Sequence, residues 1–214
     1  MANLLTITGF KSRLSGGGAR PNLFEVNIND FKFANPAWDN ETFQFLCKAS
    51  SLPASTITPI EIPFRGRVLK VAGDRTFDIW SVSVINDEDF KLRSAFEQWM
   101  NGISKLSDAS GATNPNSYMG NAVVNQLGRG YNVGRNATEN SGAGDASGGS
   151  GGVEPLRTYY FDGIFPTSVG NIDLSYESGD AIEEYSVEFQ VQYWIVGSES
   201  STGSPSDATN VVIS

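Results

Sequence analysis

The chain has 214 residues, 39% hydrophobic and 11% aromatic, enough apolar material for one sizeable core. Its 15 Lys+Arg against 24 Asp+Glu give a net charge of -9, which repels phosphate at long range and removes the basic footprint on which sequence-specific nucleic-acid binding rests. The sequence holds no histidine and one cysteine, which excludes Ser-His-Asp and Cys-His nucleophile systems, histidine-metal sites, an intrachain disulfide and cysteine-rich zinc sites.

In chain order, the stretch from Met1 to Phe10 lacks the apolar run of a signal peptide, and no run approaches the ~18 apolar residues of a membrane helix. A soluble protein made in a cytoplasm is expected. Residues 1–18, ending Ser15-Gly16-Gly17-Gly18, read as a flexible segment. Phe24 to Asp30 reads as a half-buried strand, because Phe24, Val26 and Ile28 alternate with Glu25, Asn27 and Asn29. Thr42 to Ala49 reads as a second strand, with Phe43, Phe45 and Cys47 at period two and Cys47 an inert buried thiol. Pro53, Pro59 and Pro63 punctuate Ser50 to Arg67, which predicts an ordered arm or irregular hairpin. Strands Arg67 to Ala72 and Phe77 to Ile85 follow, separated by a Gly73-Asp74 turn.

One helix is predicted next. Asn86 or Asp87 is the expected cap with acidic residues in the first turn, and Leu92, Ala95, Phe96, Trp99, Met100 and Ile103 form one apolar stripe. From Ser107 to Gly152 the composition turns to Gly, Ser, Asn and Ala, an insertion whose stretch 140–152 is flexible by composition and whose island Tyr118 to Leu127 is a strand candidate. Three strands close the domain: Thr158 to Phe165; Asn171 to Tyr176 with Ile172, Leu174 and Tyr176 inward; and Tyr185 to Ile195, where Tyr185, Val187, Phe189, Val191, Tyr193 and Ile195 alternate with polar neighbours and Trp194. Residues 197–214 form a polar tail. The expectation is a mainly β domain over 19–196, an antiparallel β-sandwich or barrel with one flanking α-helix.

The glycine clusters lack the strand-glycine-helix context of a phosphate cradle. The run Asn86 to Asp89 does not fit calcium-loop spacing, and Asp74 and Asp78 are accounted for by turn and strand-edge roles. No catalytic, cofactor-binding or metal residue is expected, and the chain reads as a non-enzyme. Three polar faces are more informative: Glu25, Asn27, Asn29; Asn171, Asp173, Ser175; and Ser186, Glu188, Gln190, Gln192. None carries a Lys or Arg, which suits a wet wall past which DNA slides without cationic traps.

Several segments resemble the tail tube proteins of contractile-tailed, myovirus-type bacteriophages. They are Val71-Ala72-Gly73-Asp74-Arg75-Thr76-Phe77-Asp78-Ile79-Trp80 running on to Glu88, Ala19 to Phe24, Cys47-Lys48-Ala49 with Leu52-Pro53-Ala54, Gly163 to Gly170, and Val191-Gln192-Tyr193-Trp194. The resemblance implies a subunit that closes hexameric rings around one continuous inner β-barrel, with rings stacked inside a sheath as the conduit for genome ejection. It implies as partners further copies of itself, sheath protein, baseplate hub, tape measure and tube terminator, with transient non-specific passage of DNA and no membrane insertion. The location implied is the virion tail, assembled in the host bacterial cytoplasm. The insertion 107–152 and the tail 197–214 are longer than in the family.

On this reading Pro53, Pro59, Pro63, Arg65, Arg67, Lys70, Asp74 and Arg75 meet neighbouring subunits, with Asp74 and Arg75 ordering a turn. The lumen set is Glu25, Asn27, Asn29, Asn171, Asp173, Glu188, Gln190 and Gln192. Two other readings stand beside it. One is a tube subunit of a phage-derived contractile injection or type VI-like secretion machine. The other is a carbohydrate-binding β-sandwich using Trp38, Trp80 or Trp194 as a stacking platform.

Overall fold

A computed structural model describes residues 6–14, 18–34, 38–128, 155–176 and 182–197. Its elements are α1 (Ile7–Arg13), β1 (Phe24–Ile28), α2 (Asn40–Leu46), β2 (Cys47–Ser50), β3 (Ser55–Phe64), β4 (Arg67–Phe77), β5 (Trp80–Ile85), α3 (Lys91–Ile103), α4 (Pro115–Tyr118), β6 (Gly120–Leu127), β7 (Pro155–Val169), β8 (Glu184–Gln190) and β9 (Tyr193–Gly197). The chain divides into two compact units, Val26–Val123 with Tyr160–Ile195, and Met1–Glu25 with Val124–Tyr159 and Val196–Ser214. The architecture is mainly β with antiparallel pairing, and α3 is the one described helix longer than seven residues.

A seven-stranded sheet runs in the order β1-β6-β7-β8-β5-β2, with β9 also pairing to β7, and β3 and β4 form a separate two-stranded sheet. Period-two patterning builds the sheet's centre. Trp80, Val82 and Val84 of β5 are buried, as are Tyr185, Val187 and Phe189 of β8. The antiparallel register sets Trp80 against Phe189, Val82 against Val187 and Val84 against Tyr185, so all six share one face. Of the predicted stripe, helix α3 buries Leu92, Ala95, Phe96 and Trp99, and Met100 and Ile103 are half-buried.

Aromatic rings knit the larger unit's core. The Trp80 ring stacks on Phe161 at 5.0 Å and packs on Phe189 at 5.0 Å, while Phe96 and Trp99 reach Phe189 at 5.9 and 6.2 Å. Each such buried side chain stabilises the fold by about 2–3 kcal/mol. The polar atoms brought along find partners: Trp80 Nε1 donates to Ser50 Oγ at 3.0 Å and Trp99 Nε1 to the Tyr118 carbonyl at 2.7 Å.

Several local expectations are corrected. Thr42 to Ala49 is not one strand: helix α2 covers its first part and β2 begins at Cys47. Asp39 caps the helix, its carboxylate accepting from the Thr42 N–H at 3.2 Å and the Thr42 hydroxyl at 2.5 Å. That capping overrides the apparent alternation. Phe43 and Cys47 are buried, but Phe45 is 77% exposed. Helix α3 is capped by neither Asn86 nor Asp87 and has no acidic residue in its first turn. Phe90 holds the cap position in the left-handed region (φ 52). Asn86 is committed elsewhere, donating from its backbone to the Glu183 carbonyl (2.8 Å) and from Nδ2 to Glu183 Oε2 (2.9 Å).

Asn171 to Tyr176 is irregular, and Leu174 and Tyr176 point to solvent. The long last strand is broken at Val191-Gln192, where the chain leaves β8 and resumes as β9. The fifteen-residue β7 accommodates both, pairing with β8 through Phe165–Val169 and with β9. Within the Gly/Ser/Asn-rich stretch, the Tyr118 to Leu127 island supplies a sheet member from Gly120 onward, with Tyr118 instead ending α4: β6 sits between β1 and β7.

The smaller unit holds α1, whose first turn is capped by the Thr6 side chain accepting from the Gly9 N–H at 3.2 Å. In the same unit Gln126 Nε2 donates to the carbonyls of Arg20 and Leu23, both at 2.7 Å. The stretch 140–152 and the tail beyond Gly197 lie outside the described residues. No helix among the described residues is long and apolar enough to cross a membrane.

Candidate functional site

Strands β3 and β4 form a long hairpin in place of the predicted loop and short strand. Every residue of β3 is exposed, and of β4 all but Gly73 and Phe77. The turn is Arg65-Gly66, with φ 45 and φ 78. Two consecutive positive φ values match the twist of the flanking strands, and the glycine supplies the second without strain.

Register decides the two faces. Ile60 opposes Val71, Ile62 opposes Leu69 and Phe64 opposes Arg67, so Ile60, Ile62, Phe64, Leu69 and Val71 share one side. That side is apolar and open to water: Phe64 is 66% and Leu69 60% exposed. The other side carries Pro59, Pro63, Val68 and the Glu61–Lys70 ion pair at 3.2 Å. Both prolines are tolerated because a two-stranded sheet consists of edge strands.

Gly73-Asp74 does not turn the chain. It sits in a bulge of β4, where the register shifts between Ile57 and Pro59. A Cβ on Gly73 would lie 2.4 Å from the Thr58 carbonyl oxygen, so the close approach of the two backbones requires glycine there.

Of the residues expected at subunit joints, Pro59, Pro63, Arg65, Arg67, Lys70, Asp74 and Arg75 all lie exposed on this hairpin, and Pro53 is buried within the chain. The apolar face itself escaped sequence reading. Its signal was the i, i+2, i+4 spacing of Ile60, Ile62 and Phe64, hidden between prolines.

The lumen set is distributed. On β8, Ser186 and Glu188 are exposed and Gln190 half-buried, opposite in sense to the core face. Their cross-strand neighbours extend a polar surface: Glu188 opposes Ser81 and Ser168, and Ser186 opposes Ser83. Of these, Ser81 and Ser83 were legible in the Ser81-Val82-Ser83-Val84 alternation. Glu25 belongs to the smaller unit. Asn29 is exposed, and Asn27 accepts from Asn40 Nδ2 at 3.2 Å. Asn171 donates to Asp173 at 2.8 Å within the irregular segment, and Gln192 is exposed at the break between β8 and β9.

Cys47 has no reactive environment. Burial pushes its thiol up to about 12. Of the three rings named for a sugar platform, Trp80 is wholly buried, Trp38 stacks on Phe31 at 4.0 Å and Trp194 meets the Phe77 ring edge-on at 6.1 Å.

Among the described residues the hairpin keeps a whole apolar face in water, and exposed patches of that kind mark interaction surfaces. The chain belongs to the phage tail tube protein family, whose model matches residues 19–197. It is 32% identical over 180 residues to the tail tube protein gp19 of Enterobacteria phage T4, covering 84% of this chain and 93% of that protein. It is 23% identical over 192 residues to the tail tube protein of Serratia phage KSP90, covering 87% of this chain and 94% of that protein. The fold is similar to a chain of the six-fold symmetrised baseplate of the anti-feeding prophage, with TM-score 0.55 at 12% identity over 84% of this chain and 95% of that one. It is also similar to a chain in the sheath-tube complex of an extracellular contractile injection system, with TM-score 0.53 at 12% identity over 88% and 97%. The function that goes with these relatives is that of a tail tube subunit.

Proposed function

We infer that six copies of this chain close into a ring, that rings stack into the inner tube of a contractile phage tail, and that the lumen conducts the genome at ejection. The observation that carries the assembly reading is the β3–β4 hairpin with its exposed apolar face. Where a surface of that kind meets a different surface of the next copy, the contact is heterologous, and a heterologous contact either closes a ring or propagates a stack. The role is mechanical and requires no turnover.

The lumen wall is formed by Glu25, Asn27, Asn29, Asn171, Asp173, Glu188, Gln190 and Gln192, with Ser81 and Ser168 beside Glu188 and Ser83 beside Ser186. These groups bind water, and their few charges are negative. DNA therefore meets weak repulsion and no cation to hold it. The remaining partners are sheath protein outside, baseplate hub below, tape measure within and tube terminator above. Assembly takes place in the host bacterial cytoplasm. Phage relatives at 32% identity favour DNA over protein as the cargo.

Negative-stain microscopy of the purified protein across a concentration series tests this. Hollow six-fold rings and stacked tubes are the expected result. A protein that stays monomeric and also fails to add to pre-formed baseplates overturns it. In assembled tubes, Glu188→Lys with Gln190→Lys is expected to make the lumen retain DNA. Unchanged passage would remove those residues from the wall.

A further inference from the structure

Helix α1 is a short amphipathic element whose apolar side is open among the described residues. Ile7, Phe10 and Leu14 recur at the i, i+3, i+7 spacing of one helix face, and they are 77%, 64% and 43% exposed. Seven residues with a side-chain cap from Thr6 make too few backbone bonds to hold a helix in water, so packing of the apolar stripe has to supply the rest. The same segment is basic. Up to Phe24 it carries Lys11, Arg13 and Arg20 and no Asp or Glu, in a chain of net charge -9. Among the described residues none of these three cations forms an ion pair. A matching surface for α1 is therefore apolar and acidic.

Residues 198–214 have that chemistry. They carry Glu199 and Asp207 and no Lys or Arg, and Val211-Val212-Ile213 is the one apolar run in a Ser, Thr and Gly background. Both ends of the chain belong to the smaller unit, which contains Met1–Glu25 and Val196–Ser214. The Leu127 N–H of β6 donates to the Leu23 carbonyl at 2.9 Å, and β9, which runs up to Gly197, lies two strands from β6, beyond β7. At the usual strand spacing that is about 10 Å across the sheet. Leu14 in turn lies against Gly18, where an added Cβ would be 3.7 Å from its Cδ1, which fixes the end of α1 close to the same entry. Fourteen residues separate Gly197 from Val211. A Ser- and Gly-rich chain of that length spans about 20 Å on average and ~46 Å fully extended. Its apolar run can therefore reach a helix only about 10 Å long.

We propose that Val211-Val212-Ile213 of the C-terminal tail cover the Ile7, Phe10 and Leu14 face of α1 in the same chain, with Glu199 and Asp207 drawn to Lys11, Arg13 and Arg20. Both partners lie outside residues 19–197, the part that matches the tail tube family, so this clasp is an addition to the tube fold and does not rest on the tube reading. The tether makes the contact intramolecular, at a roughly millimolar effective concentration, so a three-residue apolar run suffices where it would not hold from a separate molecule. Burial of the stripe holds the contact, and opposite charge orients it.

Hydrogen exchange on the monomeric full chain tests it. The reporters are the Phe10 and Leu14 amides, which donate to the Thr6 and Phe10 carbonyls at 2.9 and 3.1 Å. Val211→Ser, Val212→Ser and Ile213→Ser together are expected to speed their exchange at least about tenfold and to leave β5 and β8 unchanged. Glu199→Lys with Asp207→Lys is expected to speed it about threefold at low salt. Unfolding midpoints check that each variant folds. Exchange at Phe10 and Leu14 untouched by either set of substitutions, or a change confined to the 55–77 hairpin, overturns the proposal. A chain carrying Phe10→Cys and Val212→Cys separates its own tail from that of a second copy. Under mild oxidation a link within one chain is expected, identified by peptide mass. A link between chains gives α1 to a second copy and overturns the proposal, as does the absence of any link when both thiols react with a thiol reagent. None of these readouts requires rings or tubes, so a chain that failed to assemble would overturn the tube reading and leave the result for the clasp intact.

Discussion

Two antiparallel strand pairs in this chain, β5–β8 and β3–β4, have similar apolar content and opposite surroundings. In β5–β8 one face is covered by α3 and the aromatic cluster, and the other is polar and open. In β3–β4 both faces are open, including Ile60, Ile62, Phe64, Leu69 and Val71. The first pair is completed within the subunit. The second keeps its apolar face open among the described residues, and an isolated two-stranded hairpin is marginal in water; on the assembly proposed above, another molecule covers that face. Subunit stability and assembly are thus separable in this chain and ought to respond to different substitutions.

The largest expected effect is in the closed pair. Trp80→Ala removes a fully buried indole packed on Phe161 and Phe189 and is expected to cost about 3–5 kcal/mol in urea unfolding. A loss below about 1 kcal/mol would mean the core is not organised around that ring. Gly73→Ala comes next. Its Cβ collides with the Thr58 carbonyl, so the bulge must shift, at about 1–3 kcal/mol. Hydrogen exchange is expected to show faster opening confined to 55–77, and uniform opening would merge the two regions into one cooperative unit.

Ile62→Ser with Leu69→Ser sharpens the contrast further. Unfolding free energy is expected to move by no more than about 0.5 kcal/mol, while tube growth observed by microscopy is lost. A large destabilisation of the monomer would show that the arm is already packed. The smallest effect concerns Cys47 in the closed region. Its folded thiol is raised to about 12 from the ordinary 9.0 by burial. The stabilisation linked to it is therefore fully present below pH 9.0 and lost as pH rises from there towards 12. At pH 8 a thiol reagent is expected to leave the folded protein unmodified, and Cys47→Val is expected to flatten the alkaline fall in stability. Rapid labelling under native conditions would place the thiol at the surface.

Legibility followed the range of the interaction. The α3 stripe and the alternation of Trp80, Val82 and Val84 against Tyr185, Val187 and Phe189 were readable because each repeats a local period against one continuous buried face. Thr42 to Ala49 misled because Phe43, Phe45 and Cys47 satisfy a strand period by accident, while Asp39 and Thr42 close a helical turn. The candidate sites were half legible. The charged positions of the arm were named from their prolines and arginines, but its apolar face was not, since the same prolines that mark irregular backbone are allowed in an edge strand.

The sequence by itself determined the strand-rich class, the helix and its buried stripe, and membership in a family of tube subunits. All of these depend on local residue patterns. Tertiary structure decided that 120–127 joins the sheet between β1 and β7, that β8 hands over to β9 at Gln192, and that Gly73 sits where two backbones approach. It also decided that Ile60 and Leu69 face water in the isolated chain. These outcomes are set by which distant segments pair and in what register. An exposed and a buried isoleucine have the same local signature, and only the presence or absence of a covering neighbour separates them.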